Sequence, residues 1–138
     1  MTLEQNKAIV RGYLIDIVNK GDIAALDRYF SADVVFNGAK GLEQQLARIR
    51  AIRSAFPDHH LTIEDQIAER DRVVTRVIFE GTHQGEFSGA AATGKQVRYS
   101  GIAIDRIADG KITEMWHLAD RAGLLQQIGA TSSQPREK

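Results

Sequence analysis

The stretch VRYSGIAIDRIADGKITEMWHLADRAGLLQQIG, Val97–Gly129, decides how the chain folds. Two β-rich runs, Val97–Ile107 and Ile112–Asp120, flank the segment Ala-Asp-Gly-Lys at 108–111. Asp-Gly accepts the positive φ angles of a tight hairpin turn, so the two runs predict neighbouring antiparallel strands. The segment 121–129 predicts a short helix stopped by Gly129. Alternation along the second run puts Trp116, Leu118 and Asp120 on one face and Met115, His117 and Ala119 on the other. Asp120 then has two readings. It caps the helix that follows, or it is a general acid/base in the wall of a pocket, where Trp116 and Leu118 would desolvate it and raise its pKa.

Working back toward the N-terminus, residues 71–83 predict a strand covered on both faces, and 60–69 an alternating strand. Between them and the hairpin, QGEFSGAAATGKQ (84–96) reads as a loop. It fails as a phosphate loop because Gln96 stands where Ser or Thr is required and a strand follows instead of a helix. The first half has helical spacing. Residues 3–20 predict one helix, 23–30 a second capped by Asp22, and 42–56 a third ended by Pro57. A brief strand at 31–36 ends in a turn at Asn37-Gly38. Helices first and strands afterwards predict an α+β fold, with the sheet curved over the helices and a cavity at its open end. Residues 1–130 read as a single domain and 131–138 as a flexible tail.

Bulk properties narrow the function. Eighteen basic and eighteen acidic side chains cancel, so nothing favours nucleic acid or an anionic membrane as partner. The absence of cysteine removes disulfides and thiolate chemistry. Neither a signal peptide nor a membrane-spanning run is visible, which makes the cytoplasm the expected location. The four histidines show no ligand spacing, so no metal is expected.

Four segments together carry a family likeness: GDIAALDRYFSADVVFN (21–37), EGTHQGEFSGAAATGKQV (80–97), GIAIDRIADGKITEMWHLAD (101–120) and GLLQQIG (123–129). Across about residues 5–129 the chain resembles the SnoaL-like polyketide cyclases of the NTF2-like superfamily. The resemblance implies a cone of curved antiparallel sheet over three N-terminal helices. It also implies a pocket without cofactor or metal and a hydrophobic small-molecule carbonyl substrate. By the Trp…Asp pattern it implies that Asp120 is the acid/base of an intramolecular aldol cyclisation. An Asn after the second helix is matched by Asn37. The histidine expected on a neighbouring strand has no match.

Other candidates carry two readings each. His117 belongs to a subunit interface, or turns inward at a bulge. His83 orients a substrate carbonyl at the pocket mouth, or is an exposed loop residue. Arg76 and Arg98 pair with acids, or bind a substrate carboxylate. Trp116 and Tyr99 line a pocket, or fill the core. His59 and His60 read as a solvated turn. Two further functions compete with the cyclase reading. One is an isomerase or an epoxide hydrolase, the latter requiring an Asp-Arg-Asp set built around Arg76 or Arg98. The other is a non-catalytic small-molecule-binding module. In each case the outer sheet face needs cover, most simply from a second copy in a homodimer.

Overall fold

A computed structural model describes residues 1–130. Helix α1 (Leu3–Tyr13) starts at a capping box in which Gln5 N–H donates to Thr2 Oγ1 at 3.0 Å and Thr2 N–H to Gln5 Oε1 at 2.8 Å. The helix predicted over 3–20 is not uniform. After Tyr13 it widens into a π-helical turn, Leu14–Asn19. Neighbours capture the polar groups of this turn. Arg53 Nη1 donates to the carbonyls of Val18 and Asn19 at 3.1 and 2.9 Å, and the Asn19 amide exchanges two hydrogen bonds with the Leu61 backbone. These tertiary bonds support an end that helical spacing alone does not specify. A 3₁₀ turn (Ile23–Ala25), α2 (Leu26–Tyr29), β1 (Phe30–Phe36), the two-residue β2 (Ala39–Lys40) and α3 (Glu43–Ala55) complete the first half.

Four long strands follow: β3 (His60–Glu69), β4 (Arg72–Thr82), β5 (Gln96–Ala108) and β6 (Lys111–Ala119). Helix α4 (Arg121–Gln127) comes last. The sheet has six strands in the order β2-β1-β6-β5-β4-β3. Strands β3 to β6 pair antiparallel as predicted, while β1 lies parallel to β6. Asp109 and Gly110 turn the β5–β6 hairpin at φ 52° and 78°. The fold is therefore the expected α+β arrangement. Register shifts at Ile63/Asp65 and Arg106/Ile107 add the bend that curves the sheet around the helices.

The second shift decides which face of β6 looks inward. Ile112 and Met115 are both buried, three positions apart, so the alternation changes phase between them. Beyond Met115, His117 and Ala119 share the inner side. Trp116 and Leu118 lie outside, 48% and 76% exposed. The grouping read from sequence holds, but the apolar pair faces outward. Among the described residues, no helix is long and apolar enough to cross a membrane.

Candidate functional site

Two connected spaces occupy the inside of the curved sheet. The inner cavity is small, about 30 Å³, and its walls come from α1, α3 and the concave faces of β3–β6. Outside it lies a groove of about 730 Å³ with Phe36, Phe87, Tyr99 and Leu124 among its apolar walls. Arg48, Ile52 and His117 line both, so they mark the junction. The groove is within the usual size range of small-molecule pockets, whereas the cavity holds little more than a water or two.

Asp105 supplies the carboxyl of this site. On β5 the inward series is Val97, Tyr99, Gly101, Ala103, Asp105 and Ile107. Its side chain therefore enters the cavity by the same alternation that buries its apolar neighbours. The residue is 1% exposed, and neither carboxyl oxygen has a hydrogen-bond partner. Burial pushes the carboxyl up to about 8, so it is largely protonated at neutral pH. An unpaired carboxyl in such a place is costly to the fold, and that cost marks it as a candidate for chemistry.

Apart from the Arg48 and Arg53 guanidiniums, the polar groups that share the cavity are uncharged. Tyr13, 2% exposed, accepts a hydrogen bond from Gln45 Nε2 and keeps its own proton. Burial pushes its hydroxyl up to about 12. Tyr99 is raised to about 12 by burial as well. His59 stacks on Phe79, with centroids 5.2 Å apart, and Phe79 stacks on Tyr99 at 4.9 Å. His117 meets Phe79 edge-on at 6.3 Å. Burial, reinforced by the Arg48 charge, pulls His59 down to about 4 and His117 to about 3. Both imidazoles are therefore neutral at pH 7 and able to donate or accept. His59 is a correction to the solvated turn read from sequence. It is 8% exposed and lines the cavity, because its ring stacks on Phe79 of β4.

Asp120 is elsewhere. Its exposed carboxylate accepts from Gly123 N–H at 2.9 Å and caps α4. It lines neither the cavity nor the groove. The expected pocket acid is thus corrected to a helix cap, because Trp116 and Leu118, which were to desolvate it, face outward. Trp116 is corrected likewise: it lies on the outer face beside Arg106 and Glu114. Arg76 and Arg98 are on that face too. Arg76 Nη2 pairs with Asp65 at 2.7 Å and Arg98 Nε with Glu80 at 3.7 Å, far from any shared set with Asp120. The Asp-Arg-Asp arrangement of an epoxide hydrolase is therefore not formed. His83 is fully buried; its Nδ1 meets Thr93 Oγ1 at 2.9 Å and its ring packs on Phe56, which pins the 83–96 connection instead of facing the groove.

Three sequence candidates do reach the groove: Asn37, Tyr99 and His117. Asn37, at φ 49°, accepts from His117 N–H at 2.7 Å and donates Nδ2–H to the His117 carbonyl at 3.1 Å. It fixes the backbone that carries the imidazole. Among the described residues, no group of three or more His, Cys, Asp or Glu is placed to hold a metal.

The profile of the SnoaL-like polyketide cyclases matches residues 8–128. Solved structures agree. AclR from Streptomyces galilaeus, named as a candidate hydroxylase, is 28% identical, with 93% of this chain and 98% of that one covered and a TM-score of 0.83. TsrD from Streptomyces laurentii is 28% identical over 94% and 98%, with a TM-score of 0.83. IdmH from Streptomyces antibioticus, named as a candidate polyketide cyclase, is 28% identical over 91% and 99%, with a TM-score of 0.81. No curated protein matches in sequence.

Proposed function

The chain belongs to the SnoaL-like polyketide cyclase family, and we propose on that premise that it is an acid/base enzyme acting on an apolar carbonyl compound, with Asp105 in the role first read for Asp120. The supporting observation is the buried Asp105 carboxyl, unpaired on both oxygens inside an apolar cavity. A group that titrates near 8 is matched to proton transfer near neutral pH. Its ionised fraction removes a proton from the carbon next to a substrate carbonyl. The resulting enolate attacks a second carbonyl of the same molecule and forms the ring bond. The alkoxide so produced takes the proton back from Asp105, which restores the carboxylate. The Tyr13 hydroxyl and the neutral His117 imidazole are uncharged donors for the oxyanion. The substrate body occupies the groove, and its reacting end approaches Asp105 through the junction at Arg48, Ile52 and His117, which has to widen to take it.

The outer face fits a second copy of the chain. Cross-strand neighbours Ile102 and Leu118, and Ile104 and Trp116, make one exposed apolar patch. Of the arginines around it, Arg76, Arg98 and Arg106 have acidic partners on the same chain, and Arg72, beside Ile104, has none among the described residues. Such a surface is apolar at its centre, with most of its rim charges already paired, so it can pair with itself in a homodimer.

Proton transfer can be measured without knowing the natural substrate. Deuterium incorporation into the methyl group of 2-acetonaphthone, followed by NMR, reads enolisation directly. The wild type should accelerate exchange, Asp105→Asn should lose at least about 100-fold of that acceleration, and Asp120→Asn should keep it. Wild-type exchange in Asp105→Asn, or its loss in Asp120→Asn, would sink the assignment.

A further inference from the structure

Among the described residues Arg48 is the one arginine or lysine that lines both the cavity and the groove, and it keeps free N–H donors at their junction. Arg53 lines the cavity but not the groove, and its Nη1 donates to the carbonyls of Val18 and Asn19. Arg121, at the groove, lies over the Phe87 ring at 5.3 Å and donates to Ser88 Oγ. Arg48 instead donates Nε–H and Nη2–H to a single acceptor, Gln45 Oε1, at 3.0 and 2.8 Å. A guanidinium has five N–H donors, so three are left over. Among the described residues no carboxylate lies within ion-pair distance of it. Asp105 shares the cavity without pairing, and Glu86, the acid at the groove, accepts from Gly89 N–H at 2.6 Å.

The Arg48 charge is felt throughout the site. It disfavours protonation of both His59 and His117 and favours ionisation of Tyr13 and Tyr99. None of these groups supplies the missing negative charge at neutral pH. A partly buried cation without a counter-ion is expensive to keep, and Gln45, itself 1% exposed, holds it in place. The next surface outward is aromatic and aliphatic, formed by Phe36, Phe87, Tyr99 and Leu124.

We propose that Arg48 seats a substrate carboxylate at the junction of cavity and groove, which makes the substrate class an aromatic or polycyclic carboxylic acid and not its neutral ester or amide. This deepens the carbonyl-substrate reading of the same site and rests on it. The planar fork of Arg48 suits a carboxylate better than a point charge would.

Fluorescence titration of the full chain with 2-naphthoate and with methyl 2-naphthoate at neutral pH tests this. The wild type should bind the acid at least about tenfold more tightly than the ester, as a charge-assisted hydrogen bond warrants. Arg48→Met should lose that preference while still binding the ester. Arg48→Lys should keep part of it, and Arg76→Gln, on the outer face, should keep all of it. Equal affinity of the wild type for acid and ester overturns the proposal, as does failure to bind either; neither comparison depends on a variant folding. A preference that survives in folded Arg48→Met also overturns it. The enolisation assay stays separate: Asp105→Asn should lose exchange yet keep the acid preference. A failure of Asp105 as the acid/base is thereby told apart from a failure of Arg48 as the anion site.

Discussion

Replacing Asp105 by asparagine should remove the alkaline limb of the protein's stability profile. Burial raises this carboxyl from its ordinary 3.8 to about 8 in the folded chain. Between those values the unfolded state has released the proton and the folded state retains it. Stability contributed by the protonated form is complete below 3.8 and is lost as pH rises, by roughly 1.4 kcal/mol per pH unit, until the folded carboxyl ionises as well. His59 and His117 act in the opposite direction. Their folded values are lowered from 6.5 to about 4 and about 3. Below 6.5 the unfolded chain therefore takes up two protons that the folded chain refuses, and stability falls as pH drops. Two histidines outweigh one aspartate on the acid side, balance it near pH 6.5, and fade over the next pH unit, leaving Asp105 to dominate above about pH 7. The profile should peak near pH 6.5. From there to pH 8 the wild type should lose roughly 1.7 kcal/mol through Asp105, softened at the end as the folded carboxyl begins to ionise, and regain roughly 0.8 kcal/mol through the two histidines, a net loss of roughly 0.9 kcal/mol. Urea denaturation followed by circular dichroism, at about pH 5.5, 6.5, 7.5 and 8.5, reads the difference as a shift in free energy at constant m-value. Asp105→Asn should not lose stability above pH 6.5; it should gain roughly 0.8 kcal/mol by pH 8 as the histidines of the unfolded chain finish deprotonating, and it should keep the acid limb. An alkaline limb of wild-type slope in Asp105→Asn would refute the reasoning, because the cavity carboxyl could not then be held protonated by burial.

Two further perturbations probe the walls of the site. A Cβ added at Gly101 would lie 2.8 Å from Phe79 Cε2 and 3.4 Å from His117 Nε2, and Phe79 is stacked between His59 and Tyr99 with no room to retreat. Gly101→Ala should therefore cost about 1–3 kcal/mol, read from the urea midpoint, and an unchanged midpoint would show that the aromatic stack yields. On the outer face, Leu118→Asp places a charge in the patch shared with Ile102, which should convert a dimer to monomers in sedimentation velocity; an unaltered dimer would place the interface elsewhere.

Strand and helix positions were legible because their causes are local. Asp109-Gly110 dictates a hairpin turn, and the helical and alternating periods of the two halves predict helices and then strands. The widened turn at Leu14–Asn19 was not legible, since Arg53 and Leu61, which stabilise it, are far away in sequence. The short β2 and the parallel pairing of β1 with β6 depend in the same way on contacts between distant segments.

The site divides along a different line. Alternation grouped Trp116 with Leu118 and Asp120 correctly, but it assigns residues to faces without saying which face is covered. Size suggested that Trp116 belonged inside. The phase change opposite Arg106/Ile107 and the apolar outer surface placed Met115 and His117 there instead. The signal that identifies Asp105 was present on the neighbouring strand. Val97, Tyr99, Gly101, Ala103 and Ile107 form an unbroken series of apolar or small inner-face positions, and Asp105 is the one charged residue in it. A carboxyl on the apolar phase of a strand has no cheap structural explanation, whereas one that precedes a helix has an immediate explanation as its cap. For a chain of this fold, the acid that breaks the hydrophobic phase is therefore the stronger candidate for chemistry than the acid at the strand end.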